Sequence, residues 1–118
     1  MDSTRPRSAS RFAEVLPLAQ LGDRAIVCAK IGHVGLLLIR DGDKVFACER
    51  ACPHEQADLS LGRVTEGRLQ CPRHLASFDL VTGDISAGWP SRLLRRYPTE
   101  IRDGWICVDA AALDESAR

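Results

Sequence analysis

Two short clusters concentrate the metal-binding chemistry of this chain: Cys52-Pro53-His54 and Cys71-Pro72-Arg73-His74. Each sets a thiolate donor beside an imidazole donor, and of the three histidines only His33 lies elsewhere. Sixteen residues separate His54 from Cys71, enough for a strand or turn that returns the second cluster to the first. Two loops thereby offer two sulfur and two nitrogen ligands, and the candidate occupants are a zinc ion or an iron–sulfur cluster. Zinc knuckles usually keep at least about two residues between paired ligands. The first pair here is C-x-H, with a single intervening residue, and this favours iron–sulfur.

The pattern C-x-H, a gap of this size, then C-x-x-H resembles the Rieske family. The resemblance implies that Cys52 and Cys71 hold one iron of a single [2Fe–2S] cluster, and that His54 and His74 hold the other. It extends outward from the ligands. A proline follows each cysteine. Phe78-Asp79 and Thr82-Gly83 match the family's F-D-x-x-T-G tail, and Gly88-Trp89-Pro90 falls where a proline-containing third loop covers the cluster. Arg96-Tyr97-Pro98 and Asp103-Gly104 match its closing hairpin, so the similarity runs from about Val15 to Val108. One departure is Leu75, which follows His74 where the family usually has Gly; a positive φ at that place would strain a leucine.

The elements that must position these loops read as β structure. Phe12 to Leu18, Ala25 to Ile31, Val34 to Arg40 and Lys44 to Cys48 are expected strands, the third a near-continuous apolar run suited to full burial. Gly32-His33 is a turn with His33 solvated, and Asp41-Gly42-Asp43 is a hairpin signal that delivers the chain to the first cluster loop. Val64-Thr65 and Arg68 to Gln70 form a small hairpin across Glu66-Gly67 that feeds the second loop. Phe78 to Leu80 and Asp84-Ile85 frame the Thr82-Gly83 turn. Leu93 to Arg102 is expected as one strand, paired with Trp105 to Asp109 across Asp103-Gly104. Many short strands with Gly-rich turns argue an all-β fold, an antiparallel sandwich or barrel. As in the family, the hairpins at 44–80 would form a small inserted cluster-binding lobe. The expected organisation is a disordered tail at 1–11, a Rieske [2Fe–2S] domain at 12–109 and a C-terminal tail at 110–118.

Composition narrows the function. A chain of 118 residues with 45% apolar and 27% charged residues is an ordinary globular domain that needs no disulfide staples. Zero net charge gives no reason to expect nucleic acid or an anionic membrane as partner. No run of 18 apolar residues occurs, and residues 1–11 are too polar for a secretory signal. A cytoplasmic location is expected. Cys28, Cys48 and Cys107 sit in apolar stretches and are expected as buried strand positions, behaving as small hydrophobes. Cys48 with Cys52, Cys71 and Cys107 does not fit the plant-type ferredoxin spacing.

Nucleotide-binding loops, a nucleophile with a paired His, and a second His/carboxylate iron site are all absent from the sequence. The resemblance therefore implies an electron carrier that is not catalytic alone. It would be a monomeric low-potential ferredoxin, passing single electrons from an NAD(P)H-dependent flavin reductase to a terminal oxygenase of the aromatic-ring-hydroxylating type. High-potential members carry a Ser two residues and a Tyr four residues after the second His; here Ala76 and Phe78 stand there without hydroxyls. They also clamp their loops with an extra cysteine pair, and no cysteine lies between 53 and 70 or between 72 and 106. Docking would use the tip with His54 and His74, among Pro53, Leu75 and Pro90, with Arg73 selecting an acidic surface. The alternatives are a small Rieske subunit of a larger reductase, such as nitrite reductase, and a structural zinc module.

Overall fold

A computed structural model describes residues 12–53, 57–72, 76–88, 91–109 and 111. The expected N-terminal tail lies outside the described residues, as does the C-terminal one apart from Ala111. Among the described residues ten strands follow in order: β1 (Phe12–Pro17), β2 (Ile26–Ile31), β3 (Val34–Asp41), β4 (Lys44–Cys48), β5 (Arg63–Thr65), β6 (Arg68–Gln70), β7 (Ser77–Asp79), β8 (Arg96–Tyr97), β9 (Thr99–Arg102) and β10 (Trp105–Asp109). They form three antiparallel sheets, ordered β1-β10-β9, β2-β3-β4-β8 and β5-β6-β7. The third is the small inserted lobe; it begins after β4, which pairs with β3 and β8 in the second sheet, so the expected lobe bounds of 44–80 are too wide. No helix among the described residues is long and apolar enough to cross a membrane.

Strand β3 explains its own uninterrupted apolar sequence. Successive side chains of a strand point to opposite faces, and here both faces are covered. Leu37 and Ile39 enter one core, with Leu59, Val64, Leu69, Phe78, Leu80 and Leu94 from the lobe side. Leu36 and Leu38 enter another, with Leu21, Ala47, Tyr97, Ile106 and Val108. One strand is thus the shared wall between the sandwich and the lobe.

Turn chemistry sets the registers. Glu66-Gly67 and Asp103-Gly104 both take positive φ at two successive residues, 50° and 76° in the first and 53° and 81° in the second. Such two-residue turns match the twist of an antiparallel hairpin and favour glycine at the second position. His33 is exposed in its turn, as expected.

Two further expectations are corrected. The stretch 93–102 is not one strand. β8 pairs with β4 through Ala47↔Tyr97 and Cys48↔Arg96, whereas β9 pairs with β10 through Thr99↔Val108. Pro98 is the break: it has no N–H to donate to a ladder, and its carbonyl accepts the Asp109 N–H at 3.0 Å. The chain changes sheets there. Cys28 is exposed, not buried. β2 is the edge strand of its sheet; Ile26 on the same face still packs against the lobe-side core, but Cys28 and Lys30 stand clear of it. Cys48 and Cys107 are buried as expected. Burial, with Glu49 adding to it, pushes the Cys48 thiol up to about 12, so it stays protonated.

Candidate metal centre

The two cysteine loops are closed in the same way. The Cys52 N–H donates to the Ala57 carbonyl at 2.8 Å, and the Cys71 N–H donates to the Ala76 carbonyl at 3.0 Å. Each cysteine opens a loop closed five residues later, and along the sequence each expected histidine lies between the two closing residues. Below the first closure the stem continues as an Ala51↔Asp58 bridge and a Leu59 N–H bond to the Arg50 carbonyl at 2.9 Å. Below the second it continues as β6 and β7, with Gln70 opposite Ser77.

Cys52 is fully buried and Cys71 is 2% exposed, and both belong to the same apolar core. None of the five cysteines forms a disulfide. Two thiols held at equivalent points of two loops, within one apolar core, fit a metal centre better than they fit plain packing. Thiolates there need a cation for compensation. His54 and His74 lie outside the described residues, as do Arg73, Leu75, Trp89 and Pro90. The described residues therefore contribute two of the four expected donors.

Asp58 braces the first loop. Its carboxylate accepts Arg50 Nε at 3.2 Å and Arg50 Nη2 at 3.1 Å, and also the Ser60 N–H and hydroxyl at 3.0 and 2.7 Å. The Arg50 bond first, then those from Ser60, hold the carboxyl well below the usual carboxylate range. Asp58 also caps the 3-10 turn at Leu59–Leu61, which lies between the two loops in sequence. After that turn comes Gly62, which sequence reasoning missed. A Cβ there would stand 2.0 Å from the Gln70 carbonyl oxygen. The exit of the first loop thus lies directly on the backbone that enters the second.

The F-D-x-x-T-G tail is a folded turn. Asp79 Oδ1 accepts the Val81 and Thr82 N–H groups at 2.7 and 3.0 Å, and these bonds, that from Thr82 first, lower its pKa. Gly83 sits at φ 86°, with Leu94 packed so closely that a Cβ would meet the Leu94 carbonyl oxygen at 2.8 Å. The Leu94 N–H returns a bond to the Gly83 carbonyl at 2.9 Å. Gly83 and Leu94 therefore close the base of a third loop, and Ile85 and Leu94 near its two ends both pack on the core that holds Cys52 and Cys71.

Glu49 joins that loop to the first. It accepts Arg92 Nη1 and Nη2 at 2.7 and 2.8 Å and the Arg95 N–H at 2.7 Å. Its own N–H donates to the Arg95 carbonyl at 3.0 Å. The Glu49–Arg92 bond is the largest cause raising the Arg92 pKa. No local motif announces a pair separated by 43 residues.

Comparison with known proteins gives the same direction. A family model described as the Rieske [2Fe-2S] domain matches residues 11–98. The anthranilate 1,2-dioxygenase ferredoxin subunit of Burkholderia cepacia is 35% identical over 78 residues, covering 66% of this chain and 72% of that subunit. The solved ferredoxin of Sphingomonas yanoikuyae B1 superposes with a TM-score of 0.76 at 28% identity, covering 83% of this chain and 97% of its own. A chain from the complex of reduced oxygenase and oxidized ferredoxin in carbazole 1,9a-dioxygenase gives a TM-score of 0.76 at 25% identity, with 85% and 94% covered.

Proposed function

This chain belongs to the Rieske [2Fe–2S] family, and from that premise we propose that it is a soluble, cytoplasmic, monomeric one-electron carrier. It takes electrons from an NAD(P)H-dependent flavin reductase and delivers them to a terminal oxygenase of the aromatic-ring-hydroxylating type. The family carries one [2Fe–2S] cluster. In this reading residues 12–109 make the domain, Cys52 and Cys71 hold one iron, and His54 and His74 hold the other. The observation that carries the assignment is the pair of buried cysteines at equivalent points of two equally pinched loops.

When bound, such a cluster supplies a reversible one-electron step, at a potential of roughly −150 to +300 mV across the family. This chain's residues would set where in that range it falls. Ala76 and Phe78 are fully buried and bring no hydroxyl to the second loop. Without those two hydroxyls to stabilise negative charge on the sulfurs, the low end of the range follows. The core around Cys52 and Cys71 keeps water away from the thiolates. The imidazole tip, with Pro53, Arg73, Leu75 and Pro90, is the proposed docking face.

A known relative supports the oxygenase as acceptor: the carbazole 1,9a-dioxygenase structure is a complex of oxygenase with ferredoxin. The test is anaerobic reduction of the holoprotein by NAD(P)H plus a flavin reductase, followed by mixing with a terminal oxygenase. Reduction that needs the reductase, and reoxidation that needs the oxygenase and its substrate, are expected. A protein that no reductase reduces, or that purifies only as a stoichiometric subunit of a larger enzyme, would contradict the carrier reading.

A further inference from the structure

We propose that Glu49 is a positioning residue for the cluster: it clamps the limb Arg92–Arg95 so that Leu94 closes the apolar wall around Cys52 and Cys71. The inference rests on the ligand reading above.

Glu49 stands three residues before Cys52, at the end of the strand that delivers the first loop. Its side chain is only 12% exposed, so its charge requires partners. It finds them all on one short segment. The Arg92 guanidinium binds it in a two-pronged geometry that fixes orientation as well as distance. The Arg95 backbone binds it twice, through its N–H to the carboxylate and through its carbonyl to the Glu49 N–H. A segment held at both ends by one residue has little freedom between. Of the two leucines inside the clamp, Leu94 is 2% exposed and Leu93 is 55% exposed. The inward leucine is the one that shares the core with the two cysteines. A leucine alone does not choose which of two adjacent positions turns inward; the clamp, together with the Leu94 N–H bond to the Gly83 carbonyl, makes that choice. Elsewhere, surface pairs such as Arg24 with Asp41 have one highly exposed partner and no such double backbone bond.

The consequence is control of water and reagents at the sulfurs. With the clamp released, Leu94 keeps only its backbone bond to Gly83, and the wall around the thiolates loosens. The test uses holoprotein variants Glu49→Gln, Arg92→Gln and the double variant, with Glu100→Gln as the control. Glu100 pairs with Arg102 on β9, the other side of the sandwich. Two quantities are read: the rate at which an excess iron chelator bleaches the visible absorbance, and the deuteron modulation of the electron spin echo of the reduced cluster after transfer into D2O. Losing a charge-assisted bond of this kind should raise the bleaching rate roughly tenfold. The deuteron modulation should deepen in Glu49→Gln and Arg92→Gln, the double variant should be no worse than either single one, and the control should be unchanged.

Bleaching and modulation at the unsubstituted level in both single variants would overturn the clamp. So would an acceleration matched by the control, or one that merely follows a falling melting temperature without deeper modulation. A failed ligand reading has a different signature, since the unsubstituted protein itself would then lack the reduced-cluster signal. If Glu49→Gln does not fold, Arg92→Gln alone decides.

Discussion

At the scale of single residues, Asp58 organises the first loop and makes its acid sensitivity specific. Its carboxyl is held below the usual carboxylate range, by Arg50 first and then by Ser60. The unfolded-state value is about 3.9. A group whose folded pKa is lowered stabilises the fold at every pH above that unfolded value, and the contribution is lost as pH falls through the folded pKa. The Arg50–Asp58 pair is partly exposed, with side chains 49% and 35% accessible, so solvent screening keeps its share small. Asp58→Asn is expected to lower the melting temperature at neutral pH by about 3 °C. The gap between variant and unsubstituted protein should close as the pH is taken below about 4, which thermal melts across the acid range would follow. A gap that widened toward acid would invert the sign and contradict this role. At this scale the sequence was most legible where chemistry is local. Two cysteines each followed closely by a histidine need no distant information. Glu49 with Arg92, and Gly62 against Gln70, are pairs made by the fold and leave no local mark.

At the scale of elements, the two cluster loops are one unit because the backbone of one rests on the other. Gly62 leaves no room for a Cβ beside the Gln70 carbonyl, one residue before Cys71. Gly62→Ala must shift one of the two stems, and overpacking of this kind costs about 1–3 kcal/mol. Reduced cluster content per chain, measured as iron and sulfide after purification, is the expected outcome, with a lowered melting temperature. Full cluster content and unchanged stability would mean that the stems move independently. Most strands were readable from alternation and turn residues, and β4 falls at its expected bounds, Lys44–Cys48. The segment 93–102 was not, because period and propensity do not say which sheet a strand joins. Pro98 carried the signal: a residue with no N–H to give is where a ladder ends. Cys28 was misplaced for a related reason. Its neighbours in sequence are apolar, but burial on an edge strand depends on how far the lobe reaches across it.

At the scale of the whole molecule, the chain builds a sandwich and mounts a lobe on it through the common strand β3. The sandwich core, with Leu36, Leu38, Ile106 and Val108, contains no ligand; the lobe core contains both buried cysteines of the proposed centre. The scaffold is thereby separate from the site, and fold class was legible from the spacing of strands and glycine turns alone. The lobe was legible only through resemblance, since three strands of three residues each are too short to announce themselves. The account as a whole stands on two cysteines and two histidines sharing one [2Fe–2S] cluster. Visible and low-temperature electron paramagnetic resonance spectra of the purified protein, before and after dithionite, test this most directly. A rhombic signal on reduction, with an average g below that of all-cysteine [2Fe–2S] clusters, is the expected result. A colourless, silent protein containing stoichiometric zinc would contradict it and give the four ligands a structural role.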